Sequence, residues 1–188
     1  MSVLRIRITG EPVLHAVAAP VETIDEELRT LVADMVETMH AAPGVGLAAP
    51  QVGVGLRVFV WSWETPEGEL SEGVAINPRL WIAPMPLGEL DEDTESEGCL
   101  SIPGERAPLR RSPNAILRAT ELDGSRYEIE TSGWLARIFQ HEFDHLNGTL
   151  YADRLEYAHA KSVGKVVRKN GWGVPGHSWT PGVDHLED

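Results

Sequence analysis

The sequence predicts an α+β fold in which antiparallel strands pack around a central helix carrying an H-E-x-x-H motif. Three observations predict it. Apolar residues recur at helical spacing over residues 24–40. Several short stretches rich in β-branched and aromatic residues follow, two of them joined by Asp123-Gly124. A second helical pattern, from Ser132 to Asn147-Gly148, contains His141-Glu142-Phe143-Asp144-His145.

Taken in order, Thr23-Ile24-Asp25-Glu26 fits a capping box with Thr23 as N-cap. Ile24, Leu28, Leu31, Val32, Met35, Val36 and Met39 then place one apolar stripe on a helix, which Ala41-Ala42-Pro43-Gly44 stops. "LRVFVWSW" reads as a strand, and "VAINPRLWI" as another in which Pro78 marks an edge or a bulge. Residues 115–131 read as a hairpin. Ile116, Arg118, Thr120 and Leu122 alternate with their neighbours, Asp123-Gly124 turns, and Tyr127, Ile129 and Thr131 return. A helix follows from Ser132, ended by Asn147-Gly148, and a third runs from 154 to Asn170, ended by Gly171. The organisation is one domain over 1–170 and an irregular Gly- and Pro-rich tail over 171–188.

A chain of 188 residues is long enough to bury a core of its own. Acidic residues outnumber basic ones 29 to 16, for a net charge of −13. Such a surface repels a phosphate backbone, so DNA is not an expected partner. No apolar run approaches the roughly 20 residues of a membrane span, so no membrane partner is expected either. The opening "MSVLRIRITGEPVLH" has no apolar core of a secretory signal. A single cysteine, Cys99, excludes an internal disulfide framework and suits a reducing compartment, so the cytoplasm is the expected location. The commonest role of a lone cysteine is an inert, buried filler.

Gly44-Val45-Gly46-Leu47-Ala48-Ala49 satisfies G-x-G-x-x-G/A, the phosphate-cradling pattern of dinucleotide folds. That pattern works only after a strand and at the start of a helix, whose N-terminus takes the pyrophosphate. Here the order is helix, loop, strand, and Pro50 removes a donor the new helix would need. The small residues serve another purpose.

In "FQHEFDHLNG" the imidazoles of His141 and His145 stand four residues apart on one helix face, within reach of a single ion. Glu142 projects to one side, poised to handle a proton rather than to coordinate. Trp134 and Ile138 share the stripe of the two histidines, which turns the pair toward the core. Two core histidines flanking a chance glutamate is the bland alternative. Asp144 reads equally as a holder of an imidazole or as a solvated carboxylate. A catalytic site needs a third ligand and an open position. Cys99, His15, His40, His159, His177, His185 and several carboxylates, Glu156 among them, are candidates. The metzincin continuation is absent, since Gly148 is followed by Thr149-Leu150-Tyr151.

"GVGLAAPQVG", "EGCLS" and "QHEFDHLNG" resemble the three signature motifs of the peptide deformylase family, in that family's chain order. The likeness extends through "PVLHAVAAPV", "RVFV" and "INPRL", over residues 4–155. The resemblance implies a catalytic domain whose metal ligands are Cys99, His141 and His145, with Glu142 as the catalytic carboxylate. It places Gln51 as the amide that helps bind the reacting carbonyl, and Leu100 as the residue whose backbone N–H completes the oxyanion site. Val45 and Gly46, with Trp134 and Ile138, would line the methionine pocket, and Arg106 would lie near the bound peptide. The implied substrates are N-formylmethionyl peptides, the nascent chains, hydrolysed to release formate. The implied cofactor is one divalent ion, Fe2+ in the cell, which Zn2+, Ni2+ or Co2+ replaces on a Cys/His/His donor set.

Two other readings share the motif: an H-E-x-x-H endopeptidase with its third ligand downstream, and a binding module whose ion is structural. Arg154, Lys161, Lys165, Arg168 and Lys169 gather near the end of the third helix. They suit either a transient ribosome contact or simple complementation of a helix C-terminus. The acidic run Asp91 to Glu97 reads as a solvated loop.

Overall fold

The computed structural model describes residues 2–65 and 67–186. Its elements, in chain order, are β1 (Ile6–Arg7), α1 (Glu26–Ala41), β2 (Gly46–Ala48), β3 (Val58–Glu64), β4 (Leu70–Ile82), β5 (Ser96–Cys99), β6 (Ile102–Pro108), β7 (Asn114–Thr120), β8 (Arg126–Ser132), α2 (Gly133–Leu146), α3 (Tyr157–Lys169) and β9 (Ser178–Trp179). Short 3-10 turns occupy Pro12–His15, Ala49–Val52 and Tyr151–Arg154. The strands form a five-stranded sheet of order β2-β3-β4-β7-β8 and two ribbons, β5-β6 and β1-β9. Every pairing between strands is antiparallel, beside one isolated parallel bridge between Ala19 and Leu56. The expected α+β architecture, strands around the H-E-x-x-H helix, is what forms.

Helices cover both faces of the sheet at β3, which explains why "VFVW" is apolar without alternation. Val58 and Val60 point toward α1, where Leu28, Val32, Met35 and Met39 meet Val74 and Ile76. Phe59 and Trp61 point the other way, toward Ile138 and Phe139 of α2. There Trp61 meets Phe139 edge-on, with ring centroids 5.1 Å apart.

Several boundaries move from expectation for identifiable reasons. The cap of α1 is Asp25 rather than Thr23, because the Asp25 carboxylate accepts the Leu28 N–H at 2.9 Å. Pro78 sits in a bulge and not at an edge: β4 pairs on both sides, and its register to β7 shifts between Ile76 and Arg79. Asn77, at φ 50°, pins that bulge by exchanging two 2.8 Å hydrogen bonds with the Val21 backbone. On β7 the buried positions are Ala115, Leu117 and Ala119, the set opposite Ile116, Arg118 and Thr120. The start of α3 falls after the Tyr151–Arg154 turn, which Asp153 closes by accepting the Leu150 N–H.

Residues 171–186 are irregular apart from β9, and they pack against the start of the chain. Ser178 and Trp179 pair with Arg7 and Ile6, and Trp179 is fully buried against Ile6, Ile8 and Ala42.

Candidate metal centre

Two elements meet at the site. Helix α2 supplies His141 and His145, one turn apart, with rings 4.9 Å between centroids. The ribbon β5-β6 brings Cys99 to the last position before its turn, where it pairs with Ile102. The Cys99 Sγ lies 3.3 Å from His145 Nε2, which lies 3.2 Å from His141 Nε2. Ligand atoms about 2.0 to 2.3 Å from a tetrahedral ion stand about 3.3 to 3.6 Å apart, so these three atoms fit one ion. Among the described residues this is the one group of three metal-ligating side chains that converges. Glu156 and the five other histidines are not part of it.

Glu97 holds the outer edge of His141. Its Oε1 faces His141 Nδ1 at 3.0 Å, fixing that nitrogen as the protonated one and turning Nε2 inward. Burial drives the Glu97 carboxyl upward, but hydrogen bonds from His141 and Arg111 outweigh it and hold it well below the usual carboxylate range. Arg111 is itself buried and bidentate on Glu97, at 2.6 and 3.1 Å, with its third nitrogen 2.6 Å from Asp144. Arg137 adds a 2.9 Å bond to Glu97, and Arg154 a 2.6 Å bond to Asp144. Burial pulls the Arg111 guanidinium down, and the two carboxylates raise it above its ordinary value. The same charges separate the two imidazoles. Burial lowers both, but Cys99 and Glu97 hold His141 well above the ordinary value, while His141 and Arg111 keep His145 well below it.

Glu142 has the opposite surroundings. Its side chain is buried, and its Oε2 has no hydrogen-bond partner among the described residues. Burial pushes its carboxyl up to about 7 despite the nearby His141. The carboxyl lies against the backbone of Gly46, where an added Cβ would stand 2.8 Å from Glu142 Cδ. Gly46, within the glycine pattern of residues 44–49, therefore makes room for this carboxyl. Gln51, fully buried on the Ala49–Val52 turn, accepts the Ala48 N–H through Oε1 at 2.8 Å. That bond fixes the amide so that Nε2 faces Ser101 Oγ at 3.4 Å and Cys99 Sγ at 3.8 Å.

A cavity of about 510 Å³ opens beside these groups. Every site residue expected from the sequence lines it except His145, which is buried behind Cys99 and His141. Val45 is on the rim at 37% exposure, Trp134 and Ile138 form an apolar wall with Trp63, and Arg106 flanks the entrance with its guanidinium bonded to the Ser96 carbonyl.

Comparison with known proteins identifies the family. The family model described as polypeptide deformylase matches residues 3–161. The chain belongs to the polypeptide deformylase family. A curated peptide deformylase from Tropheryma whipplei (strain TW08/27) is 47% identical over 190 residues, covering 95% of this chain and 94% of that one. One from Mycolicibacterium paratuberculosis is 47% identical over 189 residues, covering 97% and 96%. Among solved structures, the deformylase from Ehrlichia chaffeensis in complex with actinonin superposes with a TM-score of 0.77 at 38% identity, over 90% of this chain and 98% of that one. A Met-Ala-Ser-bound deformylase from Acinetobacter baumannii superposes with a TM-score of 0.72 at 37% identity, over 82% and 100%.

Sequence reasoning missed three features of this deformylase site. Glu97 was read as the end of a solvated acidic run, but strand period two puts it on the face of Cys99, a signal available in "EGCLS". Asp144 is neither solvated nor on an imidazole; it anchors Arg111 and Arg154. Arg154 is thereby tied into the site's support rather than joining the exposed Lys161, Lys165, Arg168 and Lys169 of α3. Trp179 and Leu186, from the tail, line the cavity, and nothing local in the sequence signals that.

Proposed function

We propose that this protein is an enzyme that removes the N-formyl group from the formylmethionine of newly made polypeptides, releasing formate. The observation that carries the reading is the convergence of Cys99, His141 and His145 beside the unpartnered, buried carboxyl of Glu142, on the wall of an open cavity.

A divalent ion held by Cys99 Sγ, His141 Nε2 and His145 Nε2 would supply Lewis acidity, polarising the formyl carbonyl and acidifying water. Glu142 accepts the proton of the attacking water at Oε2 and delivers it to the departing amine nitrogen as the C–N bond breaks. The carboxyl near 7 suits both halves of that duty. The Gln51 amide and the Leu100 N–H donate to the formyl oxygen as it gains charge, each such donor worth about 3 to 4 kcal/mol of barrier. Glu97 keeps His141 in one tautomer throughout. The methionine side chain fits the apolar wall of Trp134 and Ile138 and the loop of Val45 and Gly46. β2 pairs on one side only, with β3, so an extended peptide can add along its other edge toward Arg106. A relative solved with Met-Ala-Ser bound supports a short peptide as the ligand.

The donor set takes soft and borderline divalent ions, and Fe2+ is the cellular ion we assign, with Zn2+, Ni2+ or Co2+ as replacements. We place the protein in the cytoplasm, where formylated chains emerge; no described helix is long and apolar enough to cross a membrane. The exposed cations of α3 would make a transient ribosome contact, tested by salt-dependent co-sedimentation. The deciding experiment measures formate release from formyl-Met-Ala-Ser by anaerobically prepared protein, with bound metal quantified in parallel. Release that stops with chelator and returns with Fe2+ supports the reading, and no release from metal-loaded protein refutes it.

A further inference from the structure

We propose that Trp179 is a positioning residue for deformylation, acting through the Leu100 peptide; this rests on the function proposed above. Leu100 and Ser101 are the two turn residues between the paired Cys99 and Ile102, so their carbonyls have no ladder partner. Both are held from outside the ribbon. The Trp179 indole Nε1–H donates to the Leu100 carbonyl at 2.8 Å, and the Thr9 N–H donates to the Ser101 carbonyl at 2.8 Å.

Trp179 is itself rigidly placed. It is 1% exposed, and its backbone is registered opposite Ile6 in the β1-β9 ribbon. The Ile8 N–H donates to the His177 carbonyl at 3.1 Å, and the Gly173 N–H to the Thr9 carbonyl at 2.9 Å. One short stretch, Ile6 to Thr9, therefore seats the C-terminal segment and the turn against each other. On the cavity side the same turn offers Ser101 Oγ to Gln51 Nε2. The two donors assigned to the formyl oxygen, Gln51 Nε2 and the Leu100 N–H, are thus braced through one turn, whose Leu100 carbonyl is capped by Trp179 at the cavity wall.

The family model ends at residue 161, so this brace comes from outside the body that model matches. The physical reason it matters is that a charge-stabilising donor acts through preorganisation, and a donor loosened by a fraction of an ångström loses much of its effect. The Leu100 N–H and its carbonyl flank a single Cα. Releasing the carbonyl frees the torsion that aims the turn.

The test compares W179F, which removes the N–H while keeping a ring, with W179H, which keeps a ring N–H at lower bulk. W172F serves as control, thinning the same apolar cluster while leaving the indole donor in place. Each is assayed on formyl-Met-Ala-Ser at saturating Fe2+, with kcat and KM separated and with metal content and Tm measured. W179F is expected to lower kcat about fivefold to tenfold with KM and metal content within about twofold. W179H is expected to recover part of that kcat although its Tm is lower, and W172F to lower Tm alone. Wild-type kcat in W179F overturns the proposal, as does a kcat that tracks Tm across all three variants. Failure of the wild-type protein to release formate would instead strike the underlying function.

Discussion

Helices α1 and α2 cover opposite faces of one sheet, and they are built differently. The buried side of α1 is apolar apart from Thr38, whose hydroxyl is bonded to the Asp34 carbonyl and the Leu4 N–H: Leu28, Val32, Met35 and Met39 meet Val58, Val60 and Ile76. The α2 face begins the same way, with Phe59, Trp61, Ile138 and Phe139. Its last two turns then bury Gln140, Glu142, Asp144 and His145, none more than 6% exposed. α1 uses one stripe of its circumference, whereas α2 is enclosed on several sides and must satisfy every polar group from neighbouring elements. Gln140 is bonded to Ser112 and Ala136, and Asp144 to Arg111 and Arg154. Among the described residues, the buried Glu142 Oε2 and His145 Nδ1 have no hydrogen-bond partner, and the first belongs to the group assigned to move the proton. The lesson is that one core specifies the fold while the other spends stability on chemistry.

The sharpest way to break the comparison is Glu142→Gln. Its kcat should fall about 10³-fold with metal content unchanged, read by formate release and metal analysis; retained turnover would remove Glu142 from the proton path. Next, Arg111→Ala strands Glu97 and Asp144 without their shared partner and should cost about 3 to 5 kcal/mol in urea unfolding. It should also weaken metal binding at least about tenfold, because Glu97 loses the partner that orients it on His141. On the other face, Met35→Ala should cost a similar 2 to 5 kcal/mol, roughly, while leaving kcat and metal affinity at wild-type values. A change in metal affinity there would mean the two faces are coupled. The smallest effect is expected from Asp25→Ala, about 1 kcal/mol from the lost cap and no kinetic change.

How much of this could be read in advance follows the same division. The α1 stripe, the "VFVW" strand, the Asp123-Gly124 hairpin and the α2 stop at Asn147-Gly148 all depend on near neighbours, and each appears in the structure within a few residues of its expected place. His141 and His145 were readable because helical spacing alone puts them on one face. Cys99 was reached only through a resemblance, since 42 residues separate it from His141 and no local rule joins them. Glu97 was hidden by its neighbours: four of the six residues before it are acidic, and charge composition cannot tell the one carboxylate that a strand turns inward.

By itself, then, the chain of amino acids determined periodicity, turns, the pair of imidazoles and the helix that bears them, because those depend on backbone geometry within a few residues. Tertiary structure alone decided which acid grips His141, that Asp144 and Arg111 hold each other, and that an indole from the last stretch of chain caps the Leu100 carbonyl. Those contacts span 44, 33 and 79 positions. Burial gives them their strength, and burial exists only once the whole sheet has closed.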